Sequence, residues 1–115
     1  MDKIAKYRQI IQEVLTEYGS HKLAGTENAE EFETQLIFDT THDHYQLLHV
    51  GWKLYNRTFS CPIHIDIKGD KVWIQQNLTD YDFIADLIEK GIPKLDIVLG
   101  FQAPYKRPYT EFAAA

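Results

Sequence analysis

The apolar residues of this chain change their spacing once, and that change restricts the fold more than any other feature. Across residues 2–18 they fall at Ile4, Tyr7, Ile11, Val14, Leu15 and Tyr18. Those positions draw a single stripe down one side of a helix. Lys3, Lys6, Gln9, Glu13 and Thr16 occupy the opposite face. Gly19 follows the last periodic residue and suits a left-handed cap. Residues 19–30 are small and polar, with no apolar period, and predict a mobile surface connection.

From Phe32 the period is two. Phe32–Phe38 reads as a strand, broken by Asp39-Thr40-Thr41-His42-Asp43, and His44–Tyr55 resumes it. Asn56-Arg57 offers the next turn. Thr58–Ile67 alternates most regularly, with Cys61, Ile63, Ile65 and Ile67 on one face and Pro62, His64, Asp66 and Lys68 on the other. Cys61, Ile63, Ile65 and Ile67 are therefore expected at the centre of the core, beneath the first helix. Pro62 lacks a backbone donor, so it belongs at a strand start, at a bulge, or with its missing donor facing outward. Lys68-Gly69-Asp70-Lys71 is a tight turn, and Val72–Gln76 returns from it.

A second helix is expected to open at Thr79, with Asp82 completing an approximate capping box and Gly91 ending it. Pro93 fits the first turn of a short third helix reaching Leu99. The expected fold is α+β. An N-terminal helix precedes a four-stranded antiparallel meander, then one or two C-terminal helices and an irregular aromatic tail. Without a linker or repeat, residues 1–115 are expected to form a single domain. A chain of this length buries roughly two-thirds of the surface it exposes when unfolded, enough for one apolar core.

Composition narrows the function classes. The net charge of −5 opposes approach to a phosphate backbone, and Lys106-Arg107 is the densest basic pair. Direct DNA binding is therefore disfavoured. Cys61 is the lone cysteine, which excludes an internal disulfide, and its apolar neighbours favour a buried, inert thiol. No apolar run is long enough to span a bilayer. The start, Met1-Asp2-Lys3-Ile4, does not resemble a signal peptide. A soluble, cytoplasmic protein is expected.

Catalytic motifs are missing from the sequence. His42, His44, His49 and His64 invite a metal, but they lack the ligand spacings of zinc sites or calcium loops. No metal and no cofactor are expected. Glu27, Glu30, Glu31 and Glu33 cluster where solvation is easy, and Ser20, Ser60 and Cys61 lack a nucleophile motif. A nuclease would need acidic residues such as Asp66 and Asp70 to converge with Lys68 around a divalent ion, although Asp70 already serves a turn. Two features remain. If Val72 and Ile74 face the core, Trp73 with Gln75 and Asn77 forms an outward platform, either an interface or a surface covered by a second layer of this same chain. The tail from Phe101 to Phe112 carries Phe101, Tyr105, Tyr109 and Phe112, too apolar for a solvated terminus, and is expected to dock on its own domain or on a neighbouring subunit. Trp73, Tyr105, Tyr109 and Phe112 are therefore the candidate residues for contact with a partner or a second subunit.

Longer blocks carry a family resemblance. They are Glu33-Thr34-Gln35-Leu36-Ile37-Phe38-Asp39, Asp43-His44-Tyr45-Gln46-Leu47-Leu48 and Val50-Gly51-Trp52. They continue as His64-Ile65-Asp66-Ile67-Lys68, Val72-Trp73-Ile74-Gln75-Gln76-Asn77 and Gly91-Ile92-Pro93. Asp96-Ile97-Val98-Leu99-Gly100-Phe101, Pro104-Tyr105 and Thr110-Glu111-Phe112-Ala113 complete the set. Together they resemble the XisI family, the fdxN element excision controlling factors of cyanobacteria. The resemblance covers nearly the whole chain. It implies an accessory role in programmed DNA excision during heterocyst differentiation, beside a separate recombinase and an XisH companion. It carries over no catalytic residue. The leading expectation is a non-enzymatic accessory protein with an XisH-like partner and a symmetric dimer as the nearest rival, touching DNA only indirectly. A metal-dependent nuclease and a direct DNA-binding module are the alternatives.

Overall fold

The first helix, α1, runs over Lys3–Ser20 and lays Tyr7, Ile10, Ile11, Val14 and Leu15 into the core. The computed structural model describes residues 2–20 and 32–115. The connection expected over 19–30 therefore lies outside the described residues from position 21, as do Glu27, Glu30 and Glu31. Gly19 is not a cap. It is the penultimate residue of α1, and a Cβ there would meet Leu36 Cδ2 and Thr34 Cγ2 at 3.4 Å. That is ordinary contact distance, and its backbone is not left-handed.

The strands are β1 (Phe32–Asp39), β2 (His44–Lys53), β3 (Asn56–Lys68), β4 (Lys71–Asn77) and β5 (Ile97–Leu99), in that order across one sheet. The first four form the expected antiparallel meander. Fold class is thus α+β, with a fifth strand that corrects the reading of the third helix. Only Lys94–Asp96 is helical there, as one 3₁₀ turn, and Ile97–Leu99 pairs parallel to β4 through Val72↔Ile97, Trp73↔Val98 and Ile74↔Leu99. The apolar run Ile97-Val98-Leu99 is what a short parallel strand needs, because Ile97 and Val98 are both buried.

Between β4 and β5 lies α2, Phe83–Lys90, which buries Phe83, Ile84 and Leu87. It begins later than the capping-box reading placed it. Asp82 is the N-cap and accepts from the Ala85 amide at 3.1 Å, whereas Thr79 accepts from the Tyr81 amide. Asp82 won because its carboxylate sits one residue before the apolar face. Gly91 closes the helix as expected, with φ of 125° that a side chain would rarely adopt.

One irregularity in β3 redirects its side chains. The register slips from Leu47↔Ile63 to His49↔Ser60, so Cys61 and Pro62 together face Leu48. Pro62 therefore sits at a bulge, one of the positions open to it. The extra residue interrupts the alternation, and the stripe of Ile63, Ile65 and Ile67 stops short of Cys61. Those isoleucines join the core with Tyr45, Leu47, Val72, Ile74 and Ile97, while half-buried Cys61 lies outside that cluster. Its thiol lies 3.2 Å from the Ile63 carbonyl, and burial pushes its pKa up. The β2–β3 turn also falls earlier than Asn56-Arg57. It is Leu54-Tyr55, closed by the Lys53↔Asn56 pair, with Leu54 in the left-handed region at φ 55°.

Candidate functional site

Antiparallel partners share a sheet face, so the register defines the surface opposite the core-side isoleucines. Asp39↔His44, His44↔Asp66, Asp66↔Trp73 and Trp73↔Val98 run as one row from β1 to β5. The polar end of this row is His44, His64 and Asp66. The aromatic end is Trp73.

Asp66 organises the polar end. Its Oδ1 accepts from His44 Nδ1 at 2.8 Å and from His64 Nε2 at 2.7 Å, and its Oδ2 accepts from Gln75 Nε2 at 3.2 Å. Gln46 Nε2 donates to His64 Nδ1 at 2.9 Å, which fixes the remaining His64 proton on Nε2, toward Asp66. Burial works to raise the Asp66 carboxyl, and the hydrogen bonds from His44 and His64 outweigh it, so its pKa falls below the usual carboxylate value. The same Asp66 contact raises the His44 imidazole above its ordinary value.

The other histidines of the sequence reading separate from this group. His42 stacks on His44, with centroids 6.5 Å apart, but bonds Asp39 through Nδ1. His49 lies beyond the β2–β3 bulge, in a concavity with Tyr18, Pro62 and Tyr81, and burial lowers its pKa. Asp70 occupies the β3–β4 turn. Among the described residues, the donors brought together are His44, His64 and Asp66.

At the aromatic end Val72 and Ile74 face the core, so Trp73 projects to the outer side. The register shift after Ile74, however, pairs Asn77 with core-side Ile63 and removes it from the expected platform. Trp73 is half-covered. Lys68 Nζ lies 4.3 Å from its ring centroid and Arg107 Cζ 5.1 Å from it. Arg107 belongs to a 3₁₀ segment, Pro104–Tyr109, and donates to the carbonyls of Gln102 and Gly100. Beyond it, Ala113 bridges to Val98 and Phe112 packs against the core. The tail is therefore laid on its own sheet, and the rings it leaves most open to solvent are Tyr105, 72% exposed, and Tyr109, 89% exposed, with Phe101 at 43%.

A second apolar surface was not legible in the sequence. The β2–β3 hairpin end exposes Trp52, Leu54, Tyr55 and Phe59. Alternation assigned half of each strand to the core, but at this end of the ribbon these four side chains stay open to solvent. No helix among the described residues is long and apolar enough to cross a membrane.

Comparison with known proteins gives a consistent answer. A crystal structure of a XisI-like protein from Anabaena variabilis has a TM-score of 0.86 and 46% identity, covering 96% of this chain and 98% of that one. The fdxN element excision controlling factor XisI from the same organism has a TM-score of 0.81 and 35% identity, covering 99% and 100%. No curated protein matches. The XisI protein family model matches residues 1–114, and the chain belongs to the XisI family.

Proposed function

We propose that this chain is a non-enzymatic accessory factor of DNA element excision that acts by binding a protein partner of the XisH-like kind. The observation that carries the reading is exposure combined with fixation. Tyr105 and Tyr109 stand in solvent, while Arg107 and Ala113 tie down the backbone beside them. Large rings on an already ordered segment lose little further entropy when they dock, which is how interface anchors behave. Trp73 braces the segment through Arg107, and Phe112 anchors its end. Membership of a family of excision controlling factors supplies the biological setting. The net charge of −5 favours reaching DNA through the partner.

The test is a pull-down of an XisH-like protein by the wild-type chain and by the Tyr105→Ala/Tyr109→Ala double variant. Both variant positions are exposed, so folding is preserved and loss of capture reports the surface. Capture retained by that variant but lost on Tyr55→Ala/Phe59→Ala moves the interface to the β2–β3 hairpin. Light scattering on the chain alone distinguishes a partner interface from a symmetric dimer.

A further inference from the structure

We propose that His44, His64 and Asp66 form a binding site for one divalent transition-metal ion. Sequence spacing led to the expectation of no metal, because it searches for ligands close together in the chain. Here the sheet assembles them. His64 and Asp66 are two apart on one face of β3, and β2 brings His44 directly opposite Asp66.

One ring nitrogen of His44, one of His64 and one Asp66 oxygen lie within 4.8 Å of one another. Tetrahedral coordination at about 2.1 Å separates ligand atoms by roughly 3.4 Å. Each imidazole nitrogen now sits within 2.8 Å of Asp66 Oδ1, so small side-chain rotations open the two short separations to that value. An ion entering the group takes the place of the two N–H hydrogens directed at Oδ1. Each neutral ring then carries its proton on the other nitrogen, Nε2 of His44 and Nδ1 of His64.

The surroundings suit that exchange. Metal-bound histidines usually donate their second ring nitrogen to an oriented acceptor. Gln46 stands 2.9 Å from His64 Nδ1, and turning its amide over presents Oε1 to an Nδ1–H. Gln75 holds Oδ2 of Asp66, which leaves Oδ1 directed at the imidazoles. Asp66 is 9% exposed, whereas His44 is open to solvent. Three protein ligands therefore leave a coordination position for water or for a donor from outside the chain. Two imidazoles and one carboxylate suit zinc, cobalt or iron better than the oxygen-seeking magnesium. The site is assigned no reaction, and its residues are separate from Tyr105 and Tyr109.

The experiment is calorimetric titration of tag-free, chelator-treated protein with Zn2+, repeated with Co2+ followed by visible absorption. The expected result is saturable binding of one ion per chain. His44→Ala and Asp66→Asn should each weaken it about tenfold or more, while His42→Ala changes it less than about twofold. His44 is exposed, so its variant keeps the fold even if the Asp66 variant does not. Absence of one-to-one binding of either ion overturns the proposal, as does binding that His44→Ala leaves intact.

Discussion

Ile65 has no exposed surface and lies on β3, the middle strand of the sheet, facing α1 and α2. Ile65→Ala should cost about 2–5 kcal/mol in urea unfolding, the range for a buried large-to-small change. A loss under about 1 kcal/mol would remove that face from the core. Asp43 makes a different contribution. Its carboxylate pairs with Arg8 of α1 at 2.7 and 3.1 Å and accepts from Tyr45 Oη at 2.9 Å, and the Arg8 contact holds its pKa below the usual value. A depressed carboxyl pKa means that the unfolded chain takes up the proton first as pH falls. The stabilisation is therefore complete above the unfolded value of about 3.9 and drains away through the lower folded value. Asp43 has φ of 60°, a conformation that asparagine tolerates, so Asp43→Asn removes the charge without disturbing the turn. That variant should be less stable than wild type at pH 7, and the two should converge as pH falls below about 4. A stability difference that persists at pH 2 would assign the effect to something other than ionisation.

At the scale of elements, the chain announced its long members and concealed their ends. α1 and the four meander strands follow from periods of 3.6 and two, because each has one buried face. The short third helix was misread because Pro93 suits a first helical turn, and three-residue β5 is too short to show a period. Its strand character depends on pairing with β4, a contact no local pattern records. The bulge at Cys61-Pro62 was signalled by proline but not located by it. The turn at Leu54-Tyr55 was hidden because leucine is not a turn residue. That choice strains the backbone, since left-handed φ costs a non-glycine residue about 1–2 kcal/mol. Leu54→Gly recovers this strain, less about 0.5–1 kcal/mol for glycine's greater freedom when unfolded. A small rise in melting temperature is expected. A clear fall would show that Leu54, though exposed, contributes through packing.

At the scale of the molecule, the sheet has two unlike faces. One is apolar and covered by α1 and α2. The other carries the row from Asp39 through His44, Asp66 and Trp73 to Val98, with the tail laid over its β5 end. Sequence alternation foretold the outward His64, Asp66 and Trp73, because period two fixes which residues share a face. It did not join His44 to Asp66, which needs the β2–β3 register, nor pair Arg107 with Trp73, which needs the path of the tail. The central claim is that this second face and its tail meet a protein, with DNA reached through it. Fluorescence anisotropy can titrate the chain with an XisH-like protein and, separately, with duplex DNA in one buffer of about 150 mM salt, where weak phosphate attraction is screened. The account predicts saturable binding to the protein, weakened about tenfold or more by Tyr105→Ala/Tyr109→Ala, and no saturation with DNA. Tight binding of duplex DNA by the chain alone, with no association with the XisH-like protein, would contradict it.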